Sequence, residues 1–359
     1  MRFSADGPAL PNHLLEQQQQ GNVVFFCGAG LSIPAGLPSF FGLTGAIIDG
    51  LGAGKARKAL DGGDTFDRVF SLLLREFGRQ EIDSQLYKAL RTTPSALLDN
   101  HRSVISLSRG SDRNVQIVTT NFDLLFEQAG SRLRPIVAPH LPDLDLQSRF
   151  DGVVYLHGRL TKSATGLSTG YVISASDFGR AYLADAWATR FVKALRERYT
   201  VVLLGYRAED PPMKYLLEGL NTRGSDAYDS PIYAFAAGDQ GDAEEEWFDR
   251  GVTPICYDPS NHHVALWDTL KCWSKAVDDP TSWHKHETLL AQRQPSELQA
   301  FERGQVARLV LSKAGAKAFA DINPPPPADW LCVFDNYVRF SKPRAIDWQD
   351  GRIASVNVV

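Results

Sequence analysis

Four short stretches place reactive side chains or bare backbone directly behind apolar runs: GAGLS at 28–32, TTNFD at 119–123, YLHG at 155–158 and LLGY at 203–206. In the first, Gly28 and Gly30 lack a Cβ and tolerate positive φ, so the backbone can pass close to a ligand. Phosphate is the usual occupant of such a turn, held by main-chain amides and a following helix N-terminus. Ile33 stands where the dinucleotide fingerprint GxGxxG needs its third glycine. The Walker pattern is absent, which argues against nucleoside triphosphate hydrolysis. Taken alone, a bare GxG is more often a structural strand-to-helix turn than a ligand site.

The polar residues also have ordinary uses. Asn121 suits the N-cap of a helix over DLLFEQAG, Asp123 would complement that helix's dipole, and a lone His157 behind an apolar strand is commonly a satisfied rim histidine. Their shared placement favours chemistry: all three fall at the carboxyl ends of predicted parallel strands, where open α/β sheets bind ligands. His262 and His263 precede an amphipathic helix without metal-ligand spacing and read as surface, while Trp247, Trp267 and Trp273 read as core or interface.

The elements that must position these residues follow from the hydrophobic pattern. NVVFFCG, VQIVTTN, DGVVYLHG, TVVLLGY, SPIYAFAAG and VTPICYD are short runs, apolar on both faces, between longer helical patterns. They predict a doubly wound, Rossmann-like parallel sheet covered by helices on both sides. Residues 41–113 are too long for one crossover and carry helical periodicity in FDRVFSLLLREF and ALLDNHRSVISLS, so a helical subdomain is expected there. The first domain is expected over 1–280. Residues 281–359 are expected to form a C-terminal α/β appendage for assembly or regulation, with the breaker NPPPPADW ahead of strand-like WLCVFDNYVRF and GRIASVNVV.

Composition excludes several classes. A formal net charge of -4 supplies no global basic field, so neither nucleic acid nor an anionic membrane is an expected partner. The sequence shows neither a secretory leader nor an unbroken apolar span of membrane length. Cys27, Cys256, Cys272 and Cys332 are far apart and form no CxxC, as expected of reduced thiols in a cytoplasmic protein.

The continuation GAGLSIPAGLPSF resembles the sirtuin signature GAGxSxxxGxPxF, matched at Gly28, Ala29, Gly30, Ser32, Gly36, Pro38 and Phe40. The N-x-D of Asn121 and Asp123, the HG of His157 and Gly158, and the strand end at Gly205 and Tyr206 follow in the family's order. The resemblance covers residues 10–275. It implies NAD as substrate, with Ser32 and the turn amides on phosphate and ribose, Asn121 orienting the reacting water or ribose, Asp123 on the carboxamide and His157 as base. Ala29, Pro38, Phe40, Thr120, Gly205 and Tyr206 would complete the NAD site.

Departures from the pattern narrow the reaction. Residues 159–181 hold no cysteine, so the zinc module of the deacetylases is missing and no metal is expected. Phe41 and Thr120 replace the family's usual arginine and glutamine. YVISASDFGRAYL followed by GYRAEDPPMKYLLEGL resembles the zinc-free sirtuin-like proteins of bacterial antiphage defence, which hydrolyse NAD to nicotinamide and ADP-ribose. The expectation is therefore an NAD glycohydrolase, an abortive-infection effector controlled by homo-oligomerisation or a partner protein. A sirtuin-type protein deacylase and a non-catalytic NAD or ADP-ribose sensor stay open as alternatives.

Overall fold

Each of the six apolar runs is a strand in the computed structural model, which describes residues 1–91, 96–110, 113–144, 149–160, 171–206, 211–221 and 230–334. The strands are β1 Val23–Cys27, β2 Gln116–Thr119, β3 Pro135–Val137, β4 Gly152–Tyr155, β5 Thr200–Leu204, β6 Ile232–Ala237 and β7 Val252–Tyr257. They form one parallel sheet in the order β3-β4-β2-β1-β5-β6-β7. Every residue of β1, β2, β4 and β5 is buried, which is why these segments read as continuous apolar runs. The sequence does not announce β3: three residues beginning with proline, on a half-exposed edge, show no periodicity.

Register sets the ends of the central strands level. Cys27 lies beside Thr119 on one side and Leu204 on the other, and Thr119 lies beside Tyr155. The segments after these residues therefore leave the sheet along one edge. The chain departs from β1 toward β2 and from β5 toward β6, in opposite directions, so the topological switch point lies between β1 and β5.

Helices fill the connections. α1 Asn12–Gln20 precedes β1; α2 Phe40–Leu51, α3 Gly54–Asp61, α4 Phe66–Leu90 and α5 Asp99–Leu107 lie between β1 and β2. α6 Leu125–Ala129 follows β2, α7 Ala175–Gly179 and α8 Trp187–Arg198 follow β4, and α9 Pro211–Asn221 and α10 Gln240–Phe248 follow β5 and β6. Beyond β7 come α11 Ser260–Asp278, α12 Pro280–Ala291, α13 Ala300–Leu309 and α14 Lys313–Ala320. The helices after β1 share a core that includes Leu43, Ile47, Val69, Phe70, Leu73 and Leu86. Ser39 starts α2 by accepting from Gly42 N–H. α4 is broken at Gly78, whose φ of 77° re-aims the residues after it.

The chain divides into two compact units, one of Gln17–Ala236 and Gln240–Pro254, the other of Met1–Glu16, Ala237–Asp239 and the chain from Ile255 onward. Within the second, Leu290, Leu298, Val306, Phe319, Trp330 and Val333 form a separate core. The strand expected over WLCVFDNYVRF is not one as far as Phe334: Ala328–Phe334 is a 3₁₀ helix. Trp330 and Val333 are buried while Leu331 and Phe334 are exposed, and that spacing of three is helical. The described part of the expected α/β appendage is thus helical, and residues 335–359 lie outside the described residues. All four cysteines are free thiols, Cys27 fully buried and the others half-buried. No single helix among the described residues is long and apolar enough to cross a membrane.

Candidate active site at the strand ends

The GAG turn is locked to the end of β5. Gly28 N–H donates to Leu204 O at 3.0 Å and Gly30 N–H to Gly205 O at 2.9 Å. A Cβ on Gly28 would lie 2.6 Å from Gly205 O, and one on Gly30 2.7 Å from Gly205 Cα. Gly205 itself has φ 60°, and its Cβ would lie 2.5 Å from Leu31 N. These glycines approach each other across the switch point. Ala29 and Gly30 remain half-buried. Tyr206 follows and stacks on Phe26, with ring centroids 5.1 Å apart.

The turn after β2 is joined to this lock by side chains. Ser32 Oγ donates to Asp123 Oδ2 at 2.8 Å, and Asn121 Nδ2 donates to Gly28 O at 3.0 Å and Ser32 Oγ at 3.1 Å. Thr119 Oγ1 donates to Cys27 O and accepts from Asn121 N–H, and Thr120 N–H donates to Cys27 O. Asp123 Oδ1 accepts from Leu125 N–H, so Asp123, not Asn121, supports the start of α6. Burial raises the Asp123 carboxyl above the usual carboxylate range, with the hydrogen bonds from Leu125 and Ser32 acting against it. Among the described residues nothing donates to Asn121 Oδ1, and the residue is half-buried.

His157 sits one strand further along the same edge. Leu156 N–H donates to Thr119 O and Leu160 N–H to Phe122 O, both at 2.8 Å, which ties the HG turn to both sides of Asn121. Gly158 makes the turn with φ 99°. The His157 ring is buried and its Nε2 lies 2.8 Å from Tyr182 Oη, with Phe178 edge-on at 5.3 Å. Burial drives its pKa down to about 3, so the imidazole is neutral.

Sequence reasoning missed the residues that hold His157. Glu127, on α6, takes Arg159 Nε and Nη2 at 2.5 and 2.6 Å and Tyr155 Oη at 3.2 Å, so it anchors the chain on both sides of the histidine. Arg79, just past the break in α4, donates to both Asp177 oxygens at 2.9 and 2.8 Å and to Tyr171 O at 3.3 Å. Asp177 also closes a capping box with Ser174 at the start of α7. YVISASDFGRAYL carried a signal as a block, but nothing local marked Tyr182, and Arg79 is distant from its partners in sequence.

The remaining expected contacts lie at the entry to α2. Phe40 packs its ring edge-on to Phe66 at 5.0 Å and beside Phe70 in the helical core, with Pro38 half-buried ahead of it. Among the described residues no cluster of three or more His, Cys, Asp or Glu side chains is placed to hold a metal ion.

Residues 115–255 match the family model described as SIR2-like domain. The chain is 33% identical over 305 residues to the uncharacterised protein y4cA of Sinorhizobium fredii (strain NBRC 101917 / NGR234), covering 78% of this chain and 25% of that protein. It therefore spans about a quarter of that relative's length. Among solved structures, a Sir2 homologue in complex with NAD is similar at 15% identity and a TM-score of 0.42, covering 77% of this chain and 97% of that one. A mutant Sir2 homologue with ADP-ribose is similar at 16% identity and a TM-score of 0.41, covering 76% and 98%. The matched region begins at β2 and ends within β7.

Proposed function

We propose that the chain hydrolyses NAD to nicotinamide and ADP-ribose, as an effector of bacterial antiphage defence. The observation that carries the reading is the convergence at the switch point: Ser32, Asn121 and Asp123 form one hydrogen-bonded unit on the glycine turn, beside a neutral buried His157. The SIR2-like match, which includes Asn121, Asp123 and His157, supports an NAD-related activity.

In the proposed reaction the bond between ribose C1′ and the nicotinamide nitrogen breaks first, and its electron pair leaves with the ring, which becomes neutral. The ribose carries oxocarbenium character, as in glycoside cleavage. Water adds its oxygen to C1′ and loses one proton, so NAD⁺ and water give ADP-ribose, nicotinamide and H⁺. Such an electrophile needs an oriented water and a modest proton acceptor. Asn121 Oδ1 is available to orient that water, and the neutral imidazole of His157 to accept the proton. Ala29 and Gly30, at the switch point, are the positions for the pyrophosphate. Control through residues 281–359, by self-assembly or a partner protein, belongs to the same proposal.

The test is substitution at the two reacting positions. Asn121→Ala and His157→Ala should each abolish nicotinamide release while circular dichroism stays that of the parent. Parent-rate cleavage by either folded variant would remove that residue from the mechanism.

A further inference from the structure

We infer that Tyr182 is a positioning residue for His157: its hydroxyl fixes the orientation of the imidazole through Nε2. The inference deepens the proposed hydrolysis and rests on that reading for its catalytic meaning.

The hydroxyl at 2.8 Å is the one side-chain hydrogen bond His157 makes among the described residues. Two aromatic rings lie against the imidazole, Phe178 at 5.3 Å and Tyr182 itself at 6.0 Å. The hydroxyl either donates to the Nε2 lone pair or accepts from Nε2–H, and in either tautomer the bond fixes the angle of the ring.

Tyr182 is itself held from several directions. It lies in a turn of π-helix over Arg180–Ala184, directly after α7. Thr189 Oγ1, from α8, donates to Tyr182 O at 2.7 Å. α7 is fixed by the Ser174–Asp177 capping box and by Arg79 from the broken helix α4. Phenylalanine would fill the same space, so packing alone does not require the oxygen. Supports from α4, α7 and α8 hold the turn that carries Tyr182, and its hydroxyl reaches His157 Nε2.

The experiment uses the full chain labelled with ¹⁵N-histidine, comparing the parent with Tyr182→Phe and assigning the His157 signals by their loss in His157→Ala. In long-range proton–nitrogen spectra the His157 Nε2 shift should move in Tyr182→Phe, reporting the lost hydrogen bond. In parallel, Tyr182→Phe should lower kcat for nicotinamide release about tenfold while KM stays within about twofold. An unchanged Nε2 shift in a folded Tyr182→Phe overturns the inference, and so does an unchanged kcat when the parent is active. If the parent releases no nicotinamide, the proposed hydrolysis fails and the Nε2 comparison alone decides the role of Tyr182.

Discussion

Ser32 Oγ and Asp123 Oδ2 are hydrogen-bonded at 2.8 Å across two segments that are remote in sequence, and Asn121 donates to the same hydroxyl. Both oxygens of Asp123 are engaged inside the protein, one by Ser32 and one by Leu125 N–H. A direct contact from Asp123 to a carboxamide, as the family resemblance implies, would use a lone pair left over from these two bonds. What the arrangement does directly is order Ser32 and Asn121 against Gly28, with no donor to Asn121 Oδ1 among the described residues.

Ser32→Ala is therefore expected to cost stability as well as turnover. It leaves a buried carboxylate oxygen without its donor, a loss of about 1–3 kcal/mol. Urea denaturation should show the lowered midpoint and nicotinamide release the lowered kcat. A variant as stable as the parent would mean that water replaces the hydroxyl.

The glycine lock predicts a ranking. Gly205→Ala combines positive φ with a Cβ 2.5 Å from Leu31 N, whereas Gly36→Ala has φ 92° and open space around the new methyl. Gly36→Ala should lose about 1 kcal/mol from backbone strain, and Gly205→Ala clearly more. Equal midpoints in urea would show that the lock relaxes without cost.

Glu127 grips the chain on both sides of His157, so Glu127→Ala should act on both stability and turnover. Losing the partner of the half-buried Arg159 and of Tyr155 should destabilise by about 1–3 kcal/mol. Glu127→Gln keeps acceptors for both and should restore part of each loss. Turnover unchanged in Glu127→Ala would show that the HG turn holds itself.

Acid should weaken the fold through two buried histidines. Among the described residues His101 has no hydrogen-bond partner on either ring nitrogen; it packs edge-on to Phe126 and is pushed down to about 4 by burial, while His157 is pushed down to about 3. Between those values and 6.5 the unfolded chain binds more protons than the folded one. Stability contributed by neutral burial is thus complete above pH 6.5 and lost as pH falls, with a slope of at most about 1.4 kcal/mol per pH unit for each ring. Asp123, and Glu287 raised to about 7, act in the opposite sense, so the readout is a difference between variants. His101→Phe should gain stability over the parent at pH 5 more than at pH 7.5. The same difference at both pH values would contradict the account.

The sheet was legible because β1, β2, β4 and β5 are buried on both faces and so are written as unbroken apolar runs. The residues at their ends were legible because a polar group directly behind such a run has few structural reasons to be there. β3 was not, since three edge residues starting at Pro135 obey no period. Nor was the turn at Trp330, where W-L-C-V-F suits a strand by composition and only the burial of Trp330 and Val333 reveals a spacing of three. Arg79, Glu127 and Tyr182 were hidden for a different reason: each acts through tertiary partners, and an arginine after Gly78 or a tyrosine in FGRAYL looks like any other on its helix.

The most direct measurement is product analysis of the purified full chain incubated with NAD, with and without an acyl-lysine peptide. The account predicts nicotinamide and ADP-ribose in equal amounts without the peptide, at a rate the peptide does not change, and neither product from Asn121→Ala. Nicotinamide release that requires the peptide would assign the site to deacylation, and NAD left intact under every condition would contradict the proposed hydrolysis.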